Sequence, residues 1–454
     1  MKIIIVGDGK VGLTLTELLA SEGHEIIVVD QNIYVLRHAQ ELYDVLCVSG
    51  NGASMEVLSD AGVDEADLVI AVTSSDETNI LCCMTARALG CPHTIARVRN
   101  TEYSDQLVLL KETLGLSMTI NPELSAAREI YNVLQFPSFI SRETFAHGRV
   151  EMVSLAVRSN NPLIGKKLYE LPNDSKLKVL ICAVERREEL FIPSGDFVIE
   201  EGDKIHVTAQ PETLASLIKY LGVETSRLRD VALVGGSKIA LHLAKMLTGA
   251  GVGVTIIEID PRRCEALAMI LPRVNIINAD ITNPGVIAEE IRGKADAAVF
   301  LLGIDEANII MSLHASKLGV KKVVSKVDRV DYASISDIIH DETIISPKLH
   351  SCNAILRYVR AMSNALSMDD IRAVYRLVNN KAEALELAVP AGSPYLGKTL
   401  AELPLRPGVL VACIRRGRNI IFPGGSDSFK AADVIVVFTT AQHHISNFKD
   451  LFVR

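Results

Sequence analysis

The chain contains no tryptophan, and aromatic residues account for only 5% of its 454 residues. Hydrophobic residues make up 48% and charged residues 22%. This composition is that of a folded protein with large cores, and it favours the α/β class. The length predicts three or four domains of about 100–200 residues each.

The chain also lacks an excess of positive charge. Its net charge is −8, so it has no overall basic character of the kind that nucleic-acid binding requires. Two arginine pairs, Arg186-Arg187 and Arg415-Arg416, fall at hairpin-turn positions. We expect solvated turns there rather than lipid or nucleic-acid contacts, and we expect no nucleic-acid partner.

Long apolar runs are missing as well. Runs such as Ala297–Leu302 fall far short of the roughly 18 residues that span a bilayer, and the apolar start of the chain is too short for a signal-peptide core. The eight cysteines include no CxxC pair and lack the spacing of metal ligands. We therefore expect a soluble chain with buried, reduced thiols in a reducing cytoplasm.

What the sequence does contain begins at its first residues, MKIIIVGDGKVG. An apolar run leads into the pattern Gly7-x-Gly9-x-x-Gly12, and an apolar-periodic segment follows. The next strand-like run ends at Asp30, 23 residues after Gly7. This order of strand, glycine turn, helix and acidic residue is that of a Rossmann dinucleotide-binding unit.

Each part of this unit has a physical role. Gly7 permits the tight turn, Gly9 lets the backbone approach a pyrophosphate, and Gly12 lets the helix pack on the strand. Asp30 would accept a hydrogen bond from a ribose 2′-OH and repel a 2′-phosphate, which favours NAD(H), or another nucleotide with an unphosphorylated adenosine ribose, over NADP. The alternative is a glycine-rich turn that packs tightly and binds nothing. The candidate residues of this first site are Gly7, Asp8, Gly9, Lys10, Val11, Gly12 and Asp30.

The chain is also an internal repeat. Five blocks in its first half align with five blocks in its second half at an offset of 228 or 229 residues. The aligned positions are Gly7 with Gly235, Asp30 with Glu258, Asn51 with Asp280, Asp76 with Asp305, and Arg97 with Lys326. A second module repeats too, since NPLIGKKLYELP from Asn161 matches SPYLGKTLAELP from Ser393 with seven identities in twelve.

The repeat predicts four domains in the order N1–C1–N2–C2, with limits 1–138, 139–224, 229–358 and 369–454. Each N domain alternates strands and helices, which predicts a doubly wound parallel sheet of the Rossmann type. Each C domain combines short strands and Pro/Gly turns with one helix, which predicts a small α+β domain. The expected fold class is therefore α/β with two Rossmann-like domains.

Polar residues follow the third and fourth strands of N1, at the sheet edge where α/β proteins bind ligands. Asn51 could reach a base, and Thr73 and Ser74 could bond ribose or phosphate. Ser74, Ser75 and Asp76 are also good N-caps for the following helix. Capping is favoured for Asp76, because DExN recurs as DEAN in N2, and both interpretations stay open for Ser74 and Ser75.

Two arginines, Arg97 and Arg99, end the next strand-like run. Alternation along a strand would place them on one face, where two guanidinium groups could clamp an anion. The alternative is a solvated edge or an ion pair with Glu102 or Asp105.

N2 departs from N1 in its glycine loop. The second and third glycines become Ser237 and Ala240, and a side chain at the second position obstructs a pyrophosphate. Glu258 keeps the ribose contact, and Lys238 could offset the loss, so N2 could bind a different nucleotide, bind weakly or serve as scaffold. The candidate residues are Gly235, Gly236, Ser237, Lys238, Ile239 and Glu258.

No catalytic constellation accompanies these loops. The sequence contains neither HExxH nor GxSxG, and its histidines fall in no motif that would supply an acid or base beside a nicotinamide. We expect binding without turnover and no metal. An NAD-dependent oxidoreductase is the main alternative, and a transcriptional redox sensor is a second, although no DNA-binding element is evident.

The glycine loop with Asp30, the DETN helix start, the NPLIGKKLYELP module and their duplication together resemble the TrkA family. These proteins are the tandem RCK (TrkA-N plus TrkA-C) regulatory subunits of prokaryotic Trk-type potassium uptake systems. The resemblance covers essentially the whole chain.

The resemblance implies a cytoplasmic protein, peripheral on the inner face of the plasma membrane, that gates a TrkH/TrkG-like potassium-translocating subunit. It implies self-association into a ring, as a dimer or tetramer, and NAD(H), ATP or ADP as ligands of the N domains. The family's nucleotide contacts carry onto Gly7–Gly12, Asp30, Thr73-Ser74 and Arg97. In N2 they carry onto Gly235–Ile239 and Glu258, although Ser237 and Asp328 depart from the family's pattern there.

Overall fold

A computed structural model of the chain describes residues 1–100, 103, 106, 110, 113–135, 141–145, 150–157, 161–170, 179–187, 189–209, 228–329, 342–366, 371–377, 381–417, 419–440, 445 and 447–453. The chain divides into two compact units, Met1–Leu134 with Leu228–Leu356, and Gln135–Arg227 with Arg357–Arg454. The predicted boundaries at 138/139, 224 and 369 lie outside the described residues.

The apolar runs of N1 form a parallel sheet because they are buried on both faces. Its strands are β1 Lys2–Val6, β2 Glu25–Asp30, β3 Leu46–Ser49, β4 Leu68–Ala71, β5 Thr94–Arg97 and β6 Met118–Ile120, in the order β3-β2-β1-β4-β5-β6. The helices are α1 Lys10–Ser21, α2 Ile33–Leu42, α3 Met55–Asp60, α4 Asp76–Ala88 and α5 Pro122–Gln135. The strand order reverses between β1 and β4, which is where such folds bind ligands.

C1 is a small antiparallel sheet in the order β10-β9-β11-β8-β7. Its described strands are β7 Ser141–Phe145, β8 Val150–Ala156, β9 Leu180–Arg186, β10 Glu189–Phe191 and β11 Lys204–Ala209, and a 3-10 turn lies at Leu168–Glu170.

N2 repeats the parallel sheet of N1 in the order β14-β13-β12-β15-β16-β17. Its strands are β12 Asp230–Val234, β13 Gly253–Glu258, β14 Asn275–Asn278, β15 Ala297–Phe300, β16 Lys322–Lys326 and β17 Glu342–Ile345. Its helices are α6 Lys238–Gly249, α7 Pro261–Ile270, α8 Pro284–Val286 continuing as a π-helix over Ile287–Ile291, α9 Asp305–Lys317 and α10 Pro347–Leu366.

C2 repeats the sheet of C1 in the order β18-β19-β22-β20-β21. Its strands are β18 Ile371–Leu377, β19 Ala382–Ala388, β20 Val409–Arg416, β21 Asn419–Ile421 and β22 Val434–Thr440, with 3-10 turns at Leu400–Glu402 and Phe448–Leu451. The predicted fold class, with two Rossmann-like sheets and two small accompanying domains, is confirmed.

Helix α5 joins the two sheets of the first unit. It follows the last strand of N1, but its apolar side chains lie in the same buried cluster as N2 core residues such as Leu233 and Leu243. The members from α5 are Ala126, Ala127, Ile130, Val133 and Leu134. At its C-terminal end Lys322 Nζ donates a hydrogen bond to the Val133 carbonyl, which satisfies one of the last carbonyls of the helix.

The second unit contains a comparable shared core. Met152 and Cys182 of C1 belong to one buried cluster with Ala412, Cys413 and Phe438 of C2. The two small domains therefore bury apolar surface against each other.

The arginines predicted to lie in solvated turns are not all solvated. Arg186 Nε and Nη2 each donate to the carboxylate of Asp203 at 2.8 Å, and Asp203 is fully buried. Arg416 makes the same pair with Asp433, at 2.9 and 2.8 Å. The solvated-turn prediction is wrong for these two residues, because a buried carboxylate requires a charged partner.

The cysteines agree with the sequence expectation. All eight are free thiols, and six of them are buried. Burial raises the pKa of the Cys182 thiol to about 12, which makes it unreactive.

Within the described residues, no helix is long and apolar enough to cross a bilayer, and no cluster of side chains could hold a metal ion.

Candidate functional site

The first glycine loop combines two packed glycines with one that faces open space. Gly7 has φ +93°, and a Cβ there would lie 2.9 Å from the backbone of Thr73. A Cβ at Gly12 would lie 2.0 Å from the Gly7 carbonyl oxygen, whereas a Cβ at Gly9 would have no described atom within 4 Å. Packing therefore requires Gly7 and Gly12, while the backbone at Gly9 is left open to a ligand.

The helix behind this loop has an uncapped N-terminus. Gly9 is the N-cap of α1 and provides no side-chain hydrogen bond, so the first N–H groups of α1 have no side-chain cap and can bind an anion. In N2 the equivalent Ser237 caps α6 by accepting a hydrogen bond from Ala240 N at 3.3 Å. The serine therefore occupies a helix donor that the N1 loop leaves available.

The acidic residue after the second strand holds the loop in both N domains. Asp30 Oδ2 accepts from Asp8 N at 2.8 Å, and its Oδ1 accepts from Asn32 N at 2.8 Å. Glu258 Oε2 accepts from Gly236 N at 2.6 Å. Each carboxylate oxygen has a second lone pair, so these contacts leave room for a ribose hydroxyl.

A cleft of about 1060 Å³ at the carboxyl edges of both parallel sheets brings most of the predicted residues together. The predicted residues that line it are Gly7, Gly9, Lys10, Val11, Asp30, Asn51, Thr73, Ser74, Arg97, Gly235, Gly236, Ser237, Lys238, Ile239 and Glu258. Asp8, Gly12 and Arg99 do not line it. Its volume is at the upper end for small-molecule and cofactor pockets.

Asp8 lies beneath the loop instead of in the cleft. Its side chain is buried, and its Oδ1 accepts a hydrogen bond from Thr16 Oγ1 at 3.4 Å. Its Oδ2 has no hydrogen-bond partner in the described part of the chain. Burial, reinforced by the nearby charge of Asp30, raises the pKa of the Asp8 carboxyl to about 6.

The repeated DETN and DEAN segments contribute a residue that we did not predict as part of the site. Asn79 is fully buried, accepts from Thr73 N at 2.8 Å and donates to the Arg97 carbonyl at 2.9 Å. Asn308 makes the equivalent bond to the Lys326 carbonyl at 2.9 Å. These asparagines connect the ends of neighbouring strands at the cleft. The presence of Asn at the same position in both repeats is the sequence feature from which this role could have been predicted.

The three residues before and at the start of α4 divide the roles left open by the sequence. Ser75 is the N-cap, since its Oγ accepts from Thr78 N at 3.1 Å. Asp76 is buried and accepts from Arg99 N at 2.8 Å. Ser74 lines the cleft, and Ser75 lines it in addition to capping the helix.

The structure does not bring Arg97 and Arg99 together as an anion clamp. Strand β5 ends at Arg97, so strand alternation does not extend to Arg99. Arg99 Nε lies 3.4 Å from Asp76 Oδ1. Glu102 and Asp105, the alternative partners, lie outside the described residues.

Arg97 does line the cleft, together with Glu123 of α5. Arg97 Nη2 lies 3.7 Å from Glu123 Oε1, and burial lowers the pKa of the Arg97 guanidinium. At the equivalent place in N2, Lys326 Nζ lies 3.0 Å from Asp328 Oδ2.

Further cleft residues come from elements that the sequence did not link to the loops. Arg263 of α7 donates to the Gly236 carbonyl at 2.6 Å, and Lys348 is the second residue of α10. Neither belongs to a motif, because their positions depend on tertiary packing.

One sequence motif in C2 matches the pattern of a phosphate-binding loop but does not have its structure. Gly392–Thr399 reads GSPYLGKT, which matches the P-loop pattern. However, Thr399 caps the 3-10 turn Leu400–Glu402 through a reciprocal bond with Glu402. Strand β19 ends at Ala388, before the pattern, but in the described residues 381–417 only this 3-10 turn follows it before β20, where a P-loop requires an α-helix.

Two parallel sheets with glycine loops at their switch points, each followed by a small antiparallel domain, define a duplicated Rossmann-type protein. The TrkA-N domain model matches residues 3–122 and 231–347, and the TrkA-C domain model matches residues 152–222 and 384–453. The chain therefore belongs to the TrkA family, and the expected resemblance is confirmed.

Relatives match it over nearly their full length. Trk system potassium uptake protein TrkA homolog 1 of Methanosarcina mazei is 32% identical, covering 97% of this chain and 98% of the relative. Trk system potassium uptake protein TrkA of Haemophilus influenzae is 30% identical, covering 100% and 98%.

A solved structure of the GsuK channel bound to NAD has the same fold. Its TM-score is 0.63 at 19% identity, and the match covers 99% of this chain and 77% of that chain.

Proposed function

We propose that the chain is a nucleotide-binding regulatory subunit of a potassium uptake system. NAD(H), or ADP or ATP, binds N1 with its phosphates at the uncapped N-terminus of α1 and its adenosine ribose at Asp30. The single observation that carries this proposal is the open backbone at Gly9 in a cleft that also contains Asp30 and Arg97. The names of the relatives support the link to potassium uptake, and the NAD-bound GsuK channel supports the ligand class.

In this proposal N1 is the stronger site. In N2, Ser237 already satisfies a helix N–H and Asp328 neutralises Lys326. A phosphate at N2 would have to displace both contacts.

The regulatory step is a population shift. A nucleotide that binds one conformation more tightly biases the equilibrium by that difference in affinity and by no more. The chain self-associates into a ring of two or four copies on the cytoplasmic face of the membrane, and the bias reaches a TrkH/TrkG-like translocating subunit. No chemical turnover is part of the proposal.

Isothermal titration of NADH, NAD, ADP and ATP tests the binding step. Asp30→Ala should weaken binding by about 1–3 kcal/mol, as for a lost hydrogen bond to a charged group. Glu258→Ala is the matched control, because it removes the same kind of loop contact from N2, and it should leave the tighter site unchanged. Equal affinity in Asp30→Ala and wild type would remove Asp30 from the site.

Potassium flux tests the regulatory step. The chain is reconstituted with its translocating subunit in vesicles, and flux is measured at increasing nucleotide concentration. Flux should change over the range in which the titrations show binding. Flux that is indifferent to every nucleotide, or steady NADH oxidation at 340 nm with a substrate, would contradict the proposal.

A further inference from the structure

We propose that Glu123 is a built-in counter-ion of Arg97, which the phosphate of an incoming nucleotide must displace. This inference rests on the proposed nucleotide site in N1 and concerns how that site is regulated. It assigns Glu123 the role of an internal competitor and not that of a ligand contact.

The pair is close but poorly satisfied. Arg97 Nη2 and Glu123 Oε1 are 3.7 Å apart, and the side chains are only 16% and 20% exposed. Arg97 Nε and Glu123 Oε2 are buried and have no hydrogen-bond partner within the described residues. A separation of 3.7 Å gives Coulombic attraction without a good hydrogen bond, so both groups keep unused bonding capacity at the cleft.

A phosphate would satisfy the guanidinium better than Glu123 does. Arginine binds phosphate oxygens through two parallel N–H bonds, and Arg97, which lines the cleft, has at Nε a buried donor without a partner in the described residues that a shift of the side chain towards the phosphate would bring into use. Glu123 is the second residue of α5, where a carboxylate is stabilised by the helix dipole. Once displaced, it therefore still has a favourable environment.

The location of Glu123 links this exchange to N2. The carboxylate lies at the N-terminal end of α5, and Val133 and Leu134 at the other end are buried in the N2 core. Loss of the contact with Arg97 therefore removes one tie between N1 and the first turn of a helix whose later turns pack in the N2 core.

The equivalent place in N2 has a different ion pair. There Lys326 is paired with Asp328, which follows the same strand, and α10 has Lys348 where α5 has Glu123. Asp328 therefore neutralises Lys326 without involving α10, the helix that corresponds to α5. This difference makes Asp328 a matched control for Glu123.

The test compares ADP with adenosine, which lacks phosphate, in the full-length chain with EDTA present. ADP affinity is measured by isothermal titration, and adenosine affinity by displacement of ADP. Glu123→Gln should bind ADP about tenfold more tightly than wild type, which corresponds to about 1.4 kcal/mol, with adenosine affinity unchanged. Glu123→Ala should act in the same direction, and Asp328→Asn should leave the tighter ADP site unchanged.

Three results would overturn the inference. ADP affinity could be unchanged or weaker in Glu123→Gln, which would make Glu123 a bystander or a ligand contact. Affinities for ADP and adenosine could rise equally, which would indicate a general relaxation of the cleft. Asp328→Asn could tighten the same site as much, which would indicate a diffuse charge effect. If wild type bound neither ligand, the proposed nucleotide site itself would fail.

Discussion

The carboxyl group of Asp8 illustrates how much of the glycine loop is decided by single residues. It is buried next to Asp30, with Thr16 as a hydrogen-bond partner and the charge of His38 acting in the opposite direction to Asp30. Burial is the main reason that its pKa rises to about 6. The folded protein therefore prefers the protonated form of Asp8 more than the unfolded chain does.

The sign of the pH dependence follows from this preference. Stability from Asp8 is fully present below its unfolded pKa of 3.8 and is lost as the pH rises through about 6. Asp8→Asn removes the buried charge, so it should be more stable than wild type at pH 8 by up to about 3 kcal/mol, since one pKa unit is about 1.4 kcal/mol. Urea denaturation between pH 4 and 8 measures this, and an advantage that did not shrink at low pH would contradict the assignment.

In the glycine loop of N1, the roles of residues that depend on local backbone geometry could be predicted from the sequence. The turn at Gly7 and the close contact at Gly12 follow from the pattern of strand, turn and helix. Arg99 was placed incorrectly because the sequence does not reveal that β5 ends at Arg97. Glu123 was missed because it lies on α5, the helix that packs in the core of N2. No local sequence pattern shows that this helix lines the cleft.

At the scale of elements, the two C domains share an arginine–aspartate clamp. Arg186 and Asp203 connect the end of β9 to the start of β11, and Arg416 and Asp433 do the same for β20 and β22. Both arginines and both aspartates stand 230 residues apart. That repeated spacing was visible in the sequence. The arginine–aspartate pairs were nevertheless not predicted, because residues at hairpin tips are usually solvated.

The clamp predicts a difference between two acidic residues of C1. Asp203→Asn leaves Arg186 without its buried partner and should reduce the free energy of unfolding by about 3 kcal/mol. Asp196, which is 80% exposed and paired with Lys167, is the control, and Asp196→Asn should change stability by less than about 1 kcal/mol. Urea denaturation of the full chain measures both, and equal effects would show that burial does not set the strength of the pair.

The order of strands and helices was largely predictable, because buried parallel strands read as continuous apolar runs and the helices between them have apolar periodicity. The sharing of cores was not. Ala126, Ile130 and Val133 show only that α5 has an apolar face, and the partner of that face is a tertiary property.

At the scale of the molecule, this sharing makes the stability of N2 depend on a helix that belongs by sequence to N1. Ile130 is fully buried in the N2 cluster. Ile130→Ala should cost about 2–5 kcal/mol and should lower the hydrogen-exchange protection of β12 and β15 in N2. Leu81→Ala on α4, where Leu81 is 52% exposed, is the control and should have little effect.

The result that would contradict this expectation is also specific. If amide protection fell in β1 and β4 while β12 and β15 were unaffected, α5 would be stabilising the sheet that precedes it in the chain.

A protein with one repeat in place of two could not complete this arrangement alone, because the surface that covers α5 would have to come from another molecule and would be lost on dilution. Joining both repeats in one polypeptide makes the encounter intramolecular, at a fixed effective concentration. The pairing of the two Rossmann sheets thereby becomes independent of how abundant the protein is, and any assembly of several chains starts from a pair that is already formed.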